Sequence, residues 1–123
     1  MTRAVRAHPR HRLDEVIHAP VRFSIVAVLG EADSAEFSFV RDAVEVSDSV
    51  LSKQVSTLEA AGYVKVRKGY VGKRPRTWLS LTTAGRTALT AHLAALQEIA
   101  SGRAQPAGQV VGQRAQEVLG GQE

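Results

Sequence analysis

The segment VSDSVLSKQVSTLEAAGYVKVRKGYV, Val46–Val71, changes its hydrophobic period half-way along, and no other feature of the chain restricts its fold as much. Before Gly62, residues Leu51, Val55 and Leu58 recur at helical spacing and share one stripe at about 100° per residue. After it, Val64 and Val66 alternate with Lys65 and Arg67, the pattern of a half-buried strand. Ser47 is placed to N-cap the helix, Asp48 suits the positive end of its dipole, and Gly62 suits a left-handed C-cap. Opposite the apolar stripe lie Ser49, Lys53, Ser56 and Ala60, with Ser52 at the edge of that face. Such a face is short, polar and nearly uncharged. Small hydroxyl side chains let a helix approach another surface closely, whereas a face meant only for water more often carries Glu–Lys pairs.

A second alternating run, RTWLSLT, sets Thr77, Leu79 and Leu81 opposite Trp78 and Ser80, so the two runs predict an antiparallel hairpin. GKRP makes its turn: Gly72 supplies backbone freedom, and Pro75 is expected to prevent regular ladder pairing at its position. From Lys65 to Trp78 the hairpin carries Lys65, Arg67, Lys68, Lys73, Arg74 and Arg76 and no acid. The net charge is only +4, so this block is a local imbalance rather than a general basicity. Residues 60–97 hold seven bases and no acid, while residues 13–59 hold nine acids against three bases. A molecule polarised in that way suits a polyanionic partner on one face; a merely solvated surface is the plainer reading.

At 123 residues the chain is sized for one domain with tails. Residues 1–12 lack apolar periodicity and read as a flexible basic arm carrying Arg3, Arg6, Arg10 and Arg12. Leu13, Val16 and Ile17 fit one or two helical turns, and Pro20 then opens the helix PVRFSIVAVLG, with Val21, Ile25, Val28 and Leu29 on one face and Gly30 as the stop. SAEFSFVRDAV predicts a short helix with Ser34 as N-cap and Phe37, Val40 and Val44 inward, joined by Glu45 and Val46 to the helix that follows. Thr82 or Thr83 can cap the last helix, where Leu89, Leu93, Leu96 and Ala100 form a seam widened by Ala88, Ala95 and Ile99. That seam can pack on its own domain or on a second copy. The second is favoured, because three helices and a hairpin already close a core. Residues 102–123, rich in Gly, Gln and Ala, read as a mostly disordered tail.

Several function classes drop out. Cysteine is absent, which excludes disulfides, thiolate metal sites and thiol nucleophiles and would suit a reducing cytosol. The apolar run Phe23–Leu29 is too short for a membrane span and too deep for a signal peptide, so a cytoplasmic location is expected. His8, His11, His18 and His92 fall in no nucleophile or acid/base motif, and GYVGKR lacks the phosphate-loop pattern; no enzyme is expected. Asp14 and His18 are one helical turn apart and His92 lies on the last helix, but scattered ligands do not make a metal site, and neither metal nor cofactor is expected.

Three motifs carry a family resemblance: LSKQVSTLEAAGYV (Leu51–Val64), GYVGKRPRTWLSLT (Gly69–Thr82) and LTTAGRTAL (Leu81–Leu89). From Leu13 to about Ser101 the chain resembles the winged helix-turn-helix transcriptional regulators of the broad MarR and ArsR neighbourhood, and it looks closest to the small bacterial "winged helix DNA-binding domain" regulators. The resemblance implies an α+β, mostly α fold: a three-helix core, a β-hairpin wing and a long C-terminal dimerisation helix, over residues 13–101. It implies double-stranded DNA as partner, with the third helix in the major groove and the wing on the backbone or in the minor groove. The matching outward positions are Ser49, Ser52, Lys53 and Ser56, with Gln54 nearer the flank. Lys53 is the candidate for guanine, Gln54 for adenine, and the serines position more than they specify. Lys68, Lys73, Arg74 and Arg76 would meet phosphates, with Arg74 a minor-groove probe and the arginine-bearing arm a further phosphate contact or a plain tail.

The same resemblance implies a homodimer through Leu89, Leu93 and Leu96, with Leu13 to Ile17 packing against that seam, acting on a palindromic operator as a repressor. Asp48 departs from an ideal DNA-facing helix: it either caps and points away or weakens binding. A small aromatic effector is compatible with the resemblance, but no pocket for one is legible. The rival expectation is a winged helix used as a protein-interaction or RNA-binding module.

Overall fold

The computed structural model describes residues 7–102, which fall into two compact units: Asp14–His92, and residues 7–13 together with 93–102. The larger unit begins with α1 (Glu15–His18), capped by Asp14, whose Oδ1 accepts from the amides of Val16 at 2.9 Å and Ile17 at 3.1 Å. Next comes α2 (Pro20–Gly30), with proline in its first turn where the missing N–H costs nothing. A two-residue strand, β1 (Ala35–Glu36), precedes α3 (Phe37–Val44). Ser34 therefore does not cap α3: Ala35 and Glu36 are drawn into extended pairing with β3, and Glu36 stands at the N-cap without a side-chain bond. A strand of two residues leaves no alternation in a sequence.

Glu45, at φ 60, makes the left-handed turn from α3 into α4 (Asp48–Ala60). Ser47 caps α4 as the sequence predicts, its Oγ accepting from the Val50 amide at 3.2 Å. At the other end Gly62, at φ 84, closes a Schellman motif: the Tyr63 amide donates to Leu58 at 3.0 Å and the Gly62 amide to Glu59 at 2.9 Å. The hairpin follows at once as β2 (Val64–Val71) and β3 (Arg74–Leu81), turning through Gly72 and Lys73. The sheet order is β1-β3-β2, all antiparallel.

Pro75 lies inside β3, directly opposite Tyr70, rather than outside the ladder. Val71 and Arg74 flank the two-residue turn as a hydrogen-bonded pair, so the alternation makes Tyr70–Pro75 a non-bonded pair. The proline nitrogen thus faces the outer edge of β3, which β1 reaches only at Trp78 and Leu79, and no ladder bond is lost.

One core serves the larger unit. Ile17, Ile25, Leu29, Val40, Leu51, Leu58 and Leu79 have no exposed surface, and Val66 and Leu89 pack against them half-buried. α5 (Thr83–Ser101) is capped by Thr82, whose hydroxyl accepts from the Gly85 amide at 2.9 Å and donates to the Gly62 carbonyl at 2.6 Å. Gly85 is required by proximity: a Cβ there would lie 2.3 Å from the Tyr63 carbonyl oxygen. In the smaller unit Pro9–Arg12 forms a 3-10 turn, and Arg12 is ion-paired with Glu98. Residues 9–12 are therefore shaped rather than a plain arm; Arg3, Arg6 and the tail from 103 lie outside the described residues. Among the described residues no helix is long and apolar enough to cross a membrane.

Candidate nucleic-acid interface

Burying Leu51, Val55 and Leu58 turns the other side of α4 to solvent, and Ser49, Ser52, Lys53 and Ser56 are all exposed there. Gln54 is not part of that face. It is half-buried, and its Oε1 accepts from Arg22 Nη1 at 2.8 Å while Arg22 Nε holds the Val16 carbonyl at 2.5 Å. A partner on α2, invisible to helix periodicity, takes the side chain predicted to reach adenine. Asp48 is held by Arg41 at 2.9 Å, which also pairs with Asp42 at 2.9 Å. The two carboxylates, Asp42 foremost, push the Arg41 guanidinium further toward its charged form. The acid at the start of α4 is thereby held against Arg41, whose single charge it shares with Asp42.

The hairpin separates its cations by face. On one side Val64, Val66, Leu79 and Leu81 anchor the strands to the core, and Lys68 continues that side outward. On the other, the Arg67 guanidinium stacks over Trp78 at 4.5 Å from the ring centroid, and Arg76 is ion-paired with Glu36 at 3.1 Å. Lys73 and Arg74 are exposed at the turn. Among the described residues, Lys68, Lys73 and Arg74 take part in no ion pair, while the Arg76 charge is compensated by a residue of β1. The Arg67–Trp78 stack and the Glu36–Arg76 pair were not legible beforehand. The signal for the first was present, because Arg67 and Trp78 become direct cross-strand partners once the turn is set at Gly72–Lys73.

α4 and the wing share a groove of about 670 Å³. Ser52, Ser56 and Glu59 line it from the helix, Lys68 and Thr77 from the wing, and Val55, Val66 and Leu79 form its apolar floor. The serine face of the helix and a free cation of the hairpin thus open onto one cleft.

The residues assigned to dimerisation divide. Ile17 has no exposed surface and belongs to the core, so it cannot meet a second copy. Leu89 is half-buried against the same core. Leu13 and Leu96 are half-buried, and Leu93, at 46% exposure, is the exposed leucine of the seam.

Asp14, His18 and His92 do come together, but as a hydrogen-bonded cluster. His92 has no exposed surface; its Nδ1 accepts from the Asp14 amide at 3.0 Å, which leaves the ring proton on Nε2, 3.4 Å from His18 Nδ1. Asp14 Oδ2 accepts from the Tyr63 hydroxyl at 2.5 Å, a bond that raises the Tyr63 pKa, and Phe23 meets the His92 ring edge-on. Burial first, then His18, pushes the His92 pKa down, against an opposing pull from Asp14. With both imidazole nitrogens of His92 occupied by hydrogen bonding, the ring orients α1 rather than binding an ion. Among the described residues no group of three or more His, Cys, Asp or Glu could hold a metal.

A family model described as a winged helix DNA-binding domain matches residues 21–100. Among solved structures, a transcriptional regulator homologue protein from Pyrococcus horikoshii OT3 is 27% identical, over 72% of this chain and 88% of that one, with a TM-score of 0.68. A MarR family transcriptional regulator from Silicibacter pomeroyi DSS is 19% identical, over 86% and 70% of the two chains, with a TM-score of 0.58. NadR in complex with 4-hydroxyphenylacetate is 20% identical, over 91% and 79%, with a TM-score of 0.61. At that level of identity the last two establish likeness of fold alone.

Proposed function

The chain belongs to the winged helix DNA-binding domain family, in the neighbourhood of the MarR regulators and with no enzymatic role, and from that premise we propose a sequence-specific repressor that binds a palindromic operator as a homodimer. In this reading α4 enters the major groove with Ser49, Ser52, Lys53 and Ser56 toward the bases, and Lys68, Lys73 and Arg74 of the wing meet phosphates. The supporting observation is the shared groove, where exposed α4 serines and Lys68 line one cleft. Few side chains on α4 can discriminate bases, so most of the affinity is electrostatic and therefore steeply salt-dependent. Gln54 and Arg76 contribute through the frame, since each already has a partner.

Residues 13–101 carry both reading and dimerisation. A second copy covers Leu93 on α5, spacing two recognition helices by about 34 Å, one turn of DNA. Selection of duplexes from a random pool by the purified protein tests the whole reading. Enriched, two-fold symmetric half-sites are expected; a pool without enrichment, or duplex binding indifferent to salt, overturns it in favour of a protein- or RNA-binding module. Leu93→Glu should give a folded monomer with weak operator binding, read by light scattering and a binding titration. Control by a small aromatic acid extends the proposal on the precedent of NadR, and release of the selected duplex by 4-hydroxyphenylacetate is its measurement.

A further inference from the structure

The end of the wing is apolar as well as basic. Tyr70 is 73% exposed and Val71 53%, in strands that bury Val64, Leu79 and Leu81 at their inner ends. Following one face of the hairpin outward, the cross-strand pairs run Val64–Leu81, Val66–Leu79, Lys68–Thr77 and Tyr70–Pro75: core, core, polar, then apolar again. The other face ends on Val71–Arg74, beyond the stacked Arg67 and the paired Arg76. Core packing does not account for an aromatic residue past the polar pair. Strand propensity alone would be served by threonine, which exposes less apolar surface to water.

The last two rungs and the turn therefore present Tyr70, Val71 and Pro75 together with Lys73 and Arg74, all exposed. A convex tip with Tyr70 and Pro75 on one face, Val71 on the other and two adjacent cations at the turn complements a narrow anionic groove whose walls are sugars and whose floor can be unstacked. We infer that Tyr70 and Val71 form an apolar wedge that enters the DNA minor groove beside the helix-bound major groove, held there by Lys73 and Arg74 on the flanking phosphates. The inference rests on the DNA-binding reading above. It adds a source of specificity that hydrogen bonds from α4 do not supply: the wedge favours steps that unstack easily, such as TA, over a stiff A-tract.

Cations and wedge leave different signatures. Removing a phosphate contact releases one fewer counterion and lowers the salt slope by about one, whereas removing an apolar contact weakens binding at every salt concentration with the slope unchanged. The test measures binding of the full chain to two duplexes of equal length and base composition, one of alternating TA steps and one of A-tracts, across a salt series. Tyr70→Thr/Val71→Thr keeps strand-forming residues at both positions. It should weaken binding to the alternating duplex about ten-fold at each salt concentration and abolish the preference over the A-tract duplex. Arg74→Ala should instead lower the slope and keep the preference. If the double variant fails to fold by circular dichroism, the two single variants carry the test, each expected to lose about three-fold. Wild-type protein that binds both duplexes with a steep salt slope but shows no step preference, or a double variant within two-fold of it, overturns the wedge and leaves the DNA-binding reading standing. Wild-type protein that binds neither duplex overturns both.

Discussion

Asp14, Tyr63 and His92 are satisfied by one another inside the molecule, whereas Ser49, Ser52, Ser56, Lys68, Lys73 and Arg74 are turned to solvent. Both sets are polar, but their surroundings reverse what each can do. A half-buried carboxylate that accepts from two amides and a phenol fixes the start of a helix, because leaving any of those donors unpaired would cost more than the bond itself contributes. Exposed hydroxyls and amines contribute little to stability and remain available to a partner. Substitutions in the first set should thus move stability and spare the salt dependence of DNA binding; those in the second should do the reverse.

Gly85→Ala should have the largest effect. Its methyl group would press on the Tyr63 carbonyl, a main-chain group that cannot swing aside, and a loss of about 3 kcal/mol is expected in urea denaturation. Asp14→Ala follows, at about 2 kcal/mol, from a lost helix cap and an unpaired Tyr63 hydroxyl. A normal salt slope for either folded variant is required if the frame and the reading surface are separate.

His92 sharpens the contrast through pH. Its folded pKa lies below its unfolded value, so the unfolded chain binds more protons in the window between them, and stability rises with pH across it. The stabilisation is present above about pH 6.5 and is lost as pH falls through the folded pKa. Thermal melting between pH 7 and 5 should show that decline, and His92→Asn, which keeps an acceptor near the Nδ1 position, should flatten it. An unchanged profile would mean that the ring carries no such role.

Arg74→Ala should leave stability within about 0.5 kcal/mol and reduce the salt slope by about one. Arg76→Ala tests the same division within the wing: Glu36 already neutralises this charge, so the slope should change less than for Arg74. Equal slopes for the two variants would show that the Glu36 pair opens on binding.

Periodicity located every long element. The Leu51–Leu58 stripe, the stop at Gly62 and the alternation on both sides of Gly72 are local properties of the chain, and the folded molecule follows them to the level of the Ser47 and Thr82 caps. The serine face of α4 was legible for the same reason: a helix that must bury one stripe exposes the opposite one. What escaped is non-local. Gln54 turns to Arg22, Arg76 to Glu36 and Ile17 into the core because of neighbours 32, 40 or more residues distant or on other elements, which no window of sequence contains. The strand at Ala35–Glu36 exists only because β3 is there to pair with it.

The sequence alone determined which segments are helix and hairpin and where the uncompensated charge lies, since both follow from spacing and composition along the chain. Tertiary structure decided which of those charges stay free, because Glu36, Trp78 and Asp48 reach their partners only when separate elements pack together. It decided also that Asp14 and His92, far apart in the chain, share a hydrogen bond at 3.0 Å.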